Sequence, residues 1–199
     1  MELSHSRSRT ARREPPLPGL GGCLLLCFLA TASVAAETVL AILSAELRLG
    51  ENVYELDARL AIDLAEDARQ AIDDGLTMRL DYQIGISRVR AYLPDDGIAS
   101  LVQGYELNYH ALSQRYLLRN LNTSEQFDFG SLQAALDRLS EIRSLPVIDA
   151  QLLLPGHVYK LRVRGVLDMG GTPAALKWLL FWTDDWSSAS EWYSWTLQP

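Results

Sequence analysis

The chain predicts a mainly β (α+β) domain, an antiparallel β-sandwich-like fold with one or two short helices. Three observations point there. Apolar residues alternate with polar ones over several stretches, which is the period-two pattern of strands with one dry and one wet face. Two short stretches break that period and carry helix start and stop signals. Strands with a single apolar face must bury it against another layer, and a second sheet is the simplest partner.

Val39 to Leu49 reads as the first strand. In the next, Tyr54, Leu56, Ala58, Leu60 and Ile62 alternate with Glu55, Asp57, Arg59, Ala61 and Asp63. Leu64 to Asp74 then places Ala65, Ala68, Ala71 and Ile72 at helical spacing, and Gly75 closes the helix. Leu76 to Ser87 alternates again, and the parity flips at Val89 and Ala91, so a bulge or bend is expected near Ser87. Tyr105, Leu107, Tyr109 and Ala111 mark another strand. Ser131 caps a helix on which Leu132, Ala135, Leu136, Leu139 and Ile142 share one face, with Pro146 just past its end. Tyr159, Leu161 and Val163 alternate with Lys160, Arg162 and Arg164. Turns are expected at Asp95-Asp96-Gly97, Asn120-Leu121-Asn122 and Pro155-Gly156. The apolar parity nominates Leu80, Tyr82, Ile84, Leu107, Tyr109, Leu136, Leu139 and Leu161 for the core.

The first 36 residues read differently. Arg7, Arg9, Arg12 and Arg13 precede an uncharged apolar run, Leu17 to Ala36, that ends in Ala32-Ser33-Val34-Ala35-Ala36. A basic start, an apolar centre and a small-residue end form a secretory signal peptide. The expected organisation is a signal peptide at 1–36 and one β-rich globular domain at 37–199, with a periplasmic or exported destination. Retention of the run as an uncleaved anchor is the other reading, although Pro18, Gly19, Gly21 and Gly22 interrupt it. Leu20-Gly21-Gly22-Cys23 resembles a lipoprotein box, but the apolar core follows the cysteine instead of preceding it.

The first 36 residues hold four of the 18 basic and two of the 25 acidic residues, so residues 37–199 carry a formal charge of −9. Such a domain repels phosphate backbones, and nucleic acid is not expected as a partner. Cys23 and Cys27 both lie in the leader, so the remainder has no disulfide, thiolate nucleophile or cysteine-based zinc site. No metal and no cofactor is expected. His110 and His157 are the only histidines beyond the leader, and they are far apart. Asp73-Asp74, Asp95-Asp96 and Asp184-Asp185 lack the ligand spacing of a calcium loop.

Tyr105-Glu106-Leu107-Asn108-Tyr109-His110-Ala111-Leu112-Ser113-Gln114-Arg115-Tyr116 resembles the signature segment of a chiefly proteobacterial family of exported proteins of unknown function. The Phe129-to-Leu139 stretch, Leu167-Asp168, Pro173, and the pattern from Asp185-Trp186-Ser187 to Ser190-Glu191-Trp192 and Trp195 resemble its further blocks. The resemblance implies export but no activity. Members are sometimes encoded near a two-component sensor kinase, which suggests envelope signalling by association. Where relatives often carry a Trp pair, this chain has Tyr92-Leu93.

Trp178, Trp182 and Trp186 lie four apart, and Ala174 to Trp182 is apolar apart from Lys177. One reading is a core segment that closes the sandwich. The other is an exposed patch, led by Trp178, Phe181 and Trp182, that docks on an envelope protein or a membrane surface. The first functional expectation is therefore a non-enzymatic exported binding domain. The alternative is a hydrolase-like enzyme that uses His110 with a nearby Ser or carboxylate.

Overall fold

The computed structural model describes residues 37–170 and 187–199. The leader expected at 1–36, and the aromatic segment with Trp178, Phe181 and Trp182, lie outside the described residues. The described part belongs to one unit, Ala35–Pro199. It is built from β1 (Val39–Leu49), β2 (Val53–Asp63), α1 (Glu66–Asp73), β3 (Met78–Arg88), β4 (Asp96–His110), β5 (Arg115–Asn120), β6 (Gln126–Phe129), α2 (Leu132–Leu139), β7 (Glu141–Asp149), β8 (Tyr159–Met169), β9 (Ser187–Ala189) and β10 (Tyr193–Leu197).

All pairings are antiparallel and form two sheets. The smaller runs β1-β2-β7; the larger runs β10-β8-β3-β4-β5-β6, with β9 added to β8. The chain crosses from the small sheet to the large one through α1 and returns through α2. Each crossover helix buries one face in the shared core: Ala68 and Ile72 from α1, and Ala135, Leu136 and Leu139 from α2. The amphipathic spacing of those residues is what makes a helix, not a loop, the economical crossing.

The core is the inner parity of both sheets. Leu56, Ala58 and Leu60 of the small sheet share one cluster with Leu80, Tyr82, Ile84, Leu107 and Val163 of the large one. A second cluster, around Ile86, Tyr159 and Leu161, fills the end near Leu153. Of the core residues nominated from parity, Tyr109 alone is only half-buried. It stands one residue before the end of β4 and packs beside Tyr116, ring centroids 5.0 Å apart.

The expected bulge is present: the β3–β4 register shifts between Ile86 and Ser87. Gly75, at φ 96°, closes α1, a conformation other residues resist. Ser131 caps α2 by accepting from the Ala134 amide at 3.3 Å. Three expectations need correction. The second helix stops at Leu139, and Ile142 instead lies in β7. Pro146 is not beyond a helix but inside that strand, opposite Glu55 at a register shift; β7 is an edge strand, where a missing N–H is tolerated. Asp96 opens β4 instead of turning the chain, and its carboxylate accepts from Arg88 at 2.7 Å.

Candidate functional site

The described strands fix where the aromatic segment is attached. β8 ends at Met169 and β9 begins at Ser187, and the two strands pair with Asp168 opposite Ser187. The connection 171–186 therefore leaves and re-enters the larger sheet at one place. The neighbouring Ser188 hydroxyl donates to the Thr38 carbonyl at 3.1 Å, and the Thr38 hydroxyl accepts from the Ala65 amide at 3.1 Å. The first residues of β1 are thus at the same end of the sandwich as the exit and return of 171–186. Val39, next in the chain, is an exposed apolar residue there.

His110 lies at the end of β4 in the β4–β5 hairpin and is exposed. Its Nδ1 is 2.9 Å from Ser113 Oγ, and that hydroxyl also reaches the His110 carbonyl at 3.4 Å. Among the described residues no carboxylate hydrogen-bonds His110. The contact joins residues three apart in a turn. His157 sits beside the Pro155 carbonyl at 3.3 Å. Among the described residues no group of three metal-ligating side chains converges.

The outward faces of the two sheets differ in how they handle charge. On the small sheet, Arg48 faces Asp57, and Glu141 accepts from both Arg59 (3.2 Å) and Arg143 (3.0 Å at Nε). The Arg143 hydrogen bond, with help from Arg59, holds the Glu141 carboxyl below its usual range. Asp57 also accepts from the Ser144 amide at 2.9 Å, and Ser144 sits at φ 48°, in the left-handed region. A groove of about 500 Å³ crosses this face, and its arginines are matched by carboxylates.

On the large sheet, one outward row has no carboxylate within ion-pair distance among the described residues. Lys160, Arg162 and Arg164 alternate with the buried Leu161 and Val163, so all three point outward from β8. Arg162 and Arg164 both lie over the ring of Trp192, at 4.7 and 4.5 Å from its centroid. Arg164 donates to Gln83 Oε1 at 2.9 Å. Arg162 lies across Gly85, where an added Cβ would stand 2.8 Å from its Nε, so the absence of a side chain there is what lets the guanidinium cross β3. Beside it runs a trough of about 560 Å³, floored by Gly85, Ile98, Ala99 and Ser100 and bordered by Val102 and Trp192.

Sequence reasoning placed Lys160, Arg162 and Arg164 on a polar parity and went no further, and it read Trp192 only as part of an aromatic tail. The available signal was three cations at alternate positions in a domain of charge −9.

Fold and surface together define a two-sheet antiparallel domain with helical crossovers and a cationic, indole-backed outer face. Residues 37–196 match the family described as Domain of unknown function (DUF4390), and the chain belongs to that family. No curated protein and no solved structure matches it.

Proposed function

We propose that this chain is an exported, non-enzymatic binding domain of the envelope, docked on a membrane surface by the end of the sandwich that carries Thr38, Gly170 and Ser187. The observation that carries this reading is the Ser188–Thr38 hydrogen bond. It joins the strand that follows the apolar stretch Ala174–Trp182 to Thr38, two residues after the leader ends at Ala36. A stretch that is apolar apart from Lys177 is therefore attached at this end of an acidic domain. Trp178, Phe181 and Trp182 are the proposed contacts, since aromatic rings favour the boundary between headgroups and acyl chains.

The test is co-sedimentation of Glu37–Pro199 with neutral phosphatidylcholine vesicles, chosen because the domain's negative charge opposes anionic ones. The domain should sediment with the vesicles, and Trp178→Ala with Phe181→Ala should abolish this while the thermal midpoint stays unchanged. If both variants unfold the domain, the segment is core. If they fold but still sediment, other residues make the contact. Failure of the unaltered domain to sediment leaves an envelope protein as the partner to be sought.

A further inference from the structure

Most outward arginines of the domain are matched by a carboxylate. Arg48, Arg59, Arg69, Arg79, Arg88, Arg115, Arg119 and Arg143 each face an Asp or Glu within ion-pair distance. Among the described residues Arg90 and Arg138 lack one as well, and each donates to a backbone carbonyl. Arg162 and Arg164 are different. They are brought together on one indole, with Lys160 next in the row, and among the described residues no carboxylate lies within ion-pair distance of either guanidinium. Like charges held side by side repel. The indole face offsets part of that repulsion, but it leaves guanidinium N–H groups for an anion to accept from.

We propose that this face of β8 and the trough beside it bind an extended acidic segment of a partner protein, with carboxylates at alternate positions. The row repeats every second residue, about 6.7 Å along the strand, and the side chains of an extended peptide repeat at the same spacing. Carboxylates on one side of such a peptide meet Arg162 and Arg164 in register. The trough lies beside the row: Gly97 has open space above it, and Val102, 44 % exposed in the middle of β4, offers an apolar contact. A phospholipid presents one headgroup at a surface, whereas this is a line of cations along a sheet face. Arg164 is four residues, about 13 Å, from the Asp168 end of β8, and Lys160 about 27 Å. A long polyanion such as nucleic acid would meet the repulsion of the whole domain. The proposal is independent of the membrane reading and concerns a different face.

The test uses the full chain in a neutral detergent and a short fluorescein-labelled peptide of alternating Glu and Val, read by anisotropy. The peptide should bind, should weaken as salt rises, and should bind better than its Gln/Val counterpart. Arg162→Gln with Arg164→Gln should lose at least about tenfold in affinity, the scale of charge-assisted contacts. Val102→Glu should weaken binding as well, and it keeps the proposal testable if the arginine pair proves necessary for folding. Arg115→Gln, on β5, should change nothing. Equal binding of the Glu/Val and Gln/Val peptides overturns the proposal. So does unchanged affinity in the folded double variant, or tighter binding of inorganic polyphosphate than of the peptide.

Discussion

Leu60 of β2 and Gly165 of β8 touch across the two sheets: a Cβ at position 165 would stand 3.1 Å from Leu60 Cδ2 and 3.2 Å from Cδ1. Leu60 is almost wholly buried, so it has little room to yield. The small sheet approaches the large one this closely because the facing residue has no side chain. Leu60→Ala should cost about 2–5 kcal/mol as a cavity, and Gly165→Leu about 1–3 kcal/mol by overpacking. Together they should cost less than their sum, with a coupling of at least about 0.5 kcal/mol in a urea-denaturation cycle. Strict additivity would falsify the direct contact.

The crossover by α2 rests on a second long-range tie. Tyr82, buried in β3, donates its hydroxyl to the Leu139 carbonyl at the last turn of α2, 2.5 Å away. That carbonyl is one of those a helix end leaves without an internal partner. Burial, more than any neighbour, pushes the Tyr82 phenol far above its ordinary value, so it remains a donor throughout the neutral range. Tyr82→Phe keeps the ring and removes the donor, and should cost about 1–3 kcal/mol. A thermal melt matching that of the unaltered chain would mean that water satisfies the carbonyl equally well.

Those two ties also show where the sequence was informative. Leu60 lies in β2 and Tyr82 in β3, whose alternation runs unbroken as far as Ile86, and β2, β3 and β8 were legible for that reason. Both helices announced themselves through Ser131 and Gly75, which act within a few residues. β7 was not legible, because Pro146 and the left-handed Ser144 obscure its period. Only pairing with β2 makes a strand of it. The cationic row was visible as a polar parity. Its distinctiveness depends on which other arginines find carboxylates on neighbouring strands, and that information is non-local. Tyr109 has the right parity but sits too close to a hairpin to be covered.

Alkaline pH should loosen the contact between α1 and β5. The Tyr116 hydroxyl donates to Asp73 Oδ1 at 2.5 Å, and this bond raises the phenol to about 12. A phenol raised in the folded state is held in its protonated form. Its contribution is therefore complete below the ordinary tyrosine value near 10 and is lost as pH climbs towards 12. Tyr116→Phe should be less stable than the unaltered chain at pH 8, and the difference should shrink between pH 10 and pH 12. A difference that stays constant across that range would show that the hydroxyl is not held by Asp73.

Chelation should leave the fold unchanged. The core is made by apolar residues of both sheets, and among the described residues no group of three His, Cys, Asp or Glu is placed to hold an ion. The thermal midpoint of the domain in excess EDTA should equal that in buffer. A drop of many degrees, restored by calcium or zinc, would put a metal site in the structure.

Export should remove the leader just after Ala36. Thr38 is bound at both its carbonyl and its hydroxyl, by Ser188 and by the Ala65 amide, and Val39 opens β1. Glu37, one residue earlier, is exposed. Cleavage after Ala36, at the end of Val34-Ala35-Ala36, would therefore leave every residue that the sandwich uses and keep a polar residue at the new terminus. A cut even two residues later would remove the Thr38 tie. N-terminal sequencing of the protein from its host should begin at Glu37, and the processed chain should melt at the same temperature as the full one. Recovery of an intact chain starting at Met1 from the membrane fraction would instead make the leader a retained anchor. The end of the sandwich near Thr38 would then be held to the bilayer by a covalent tether.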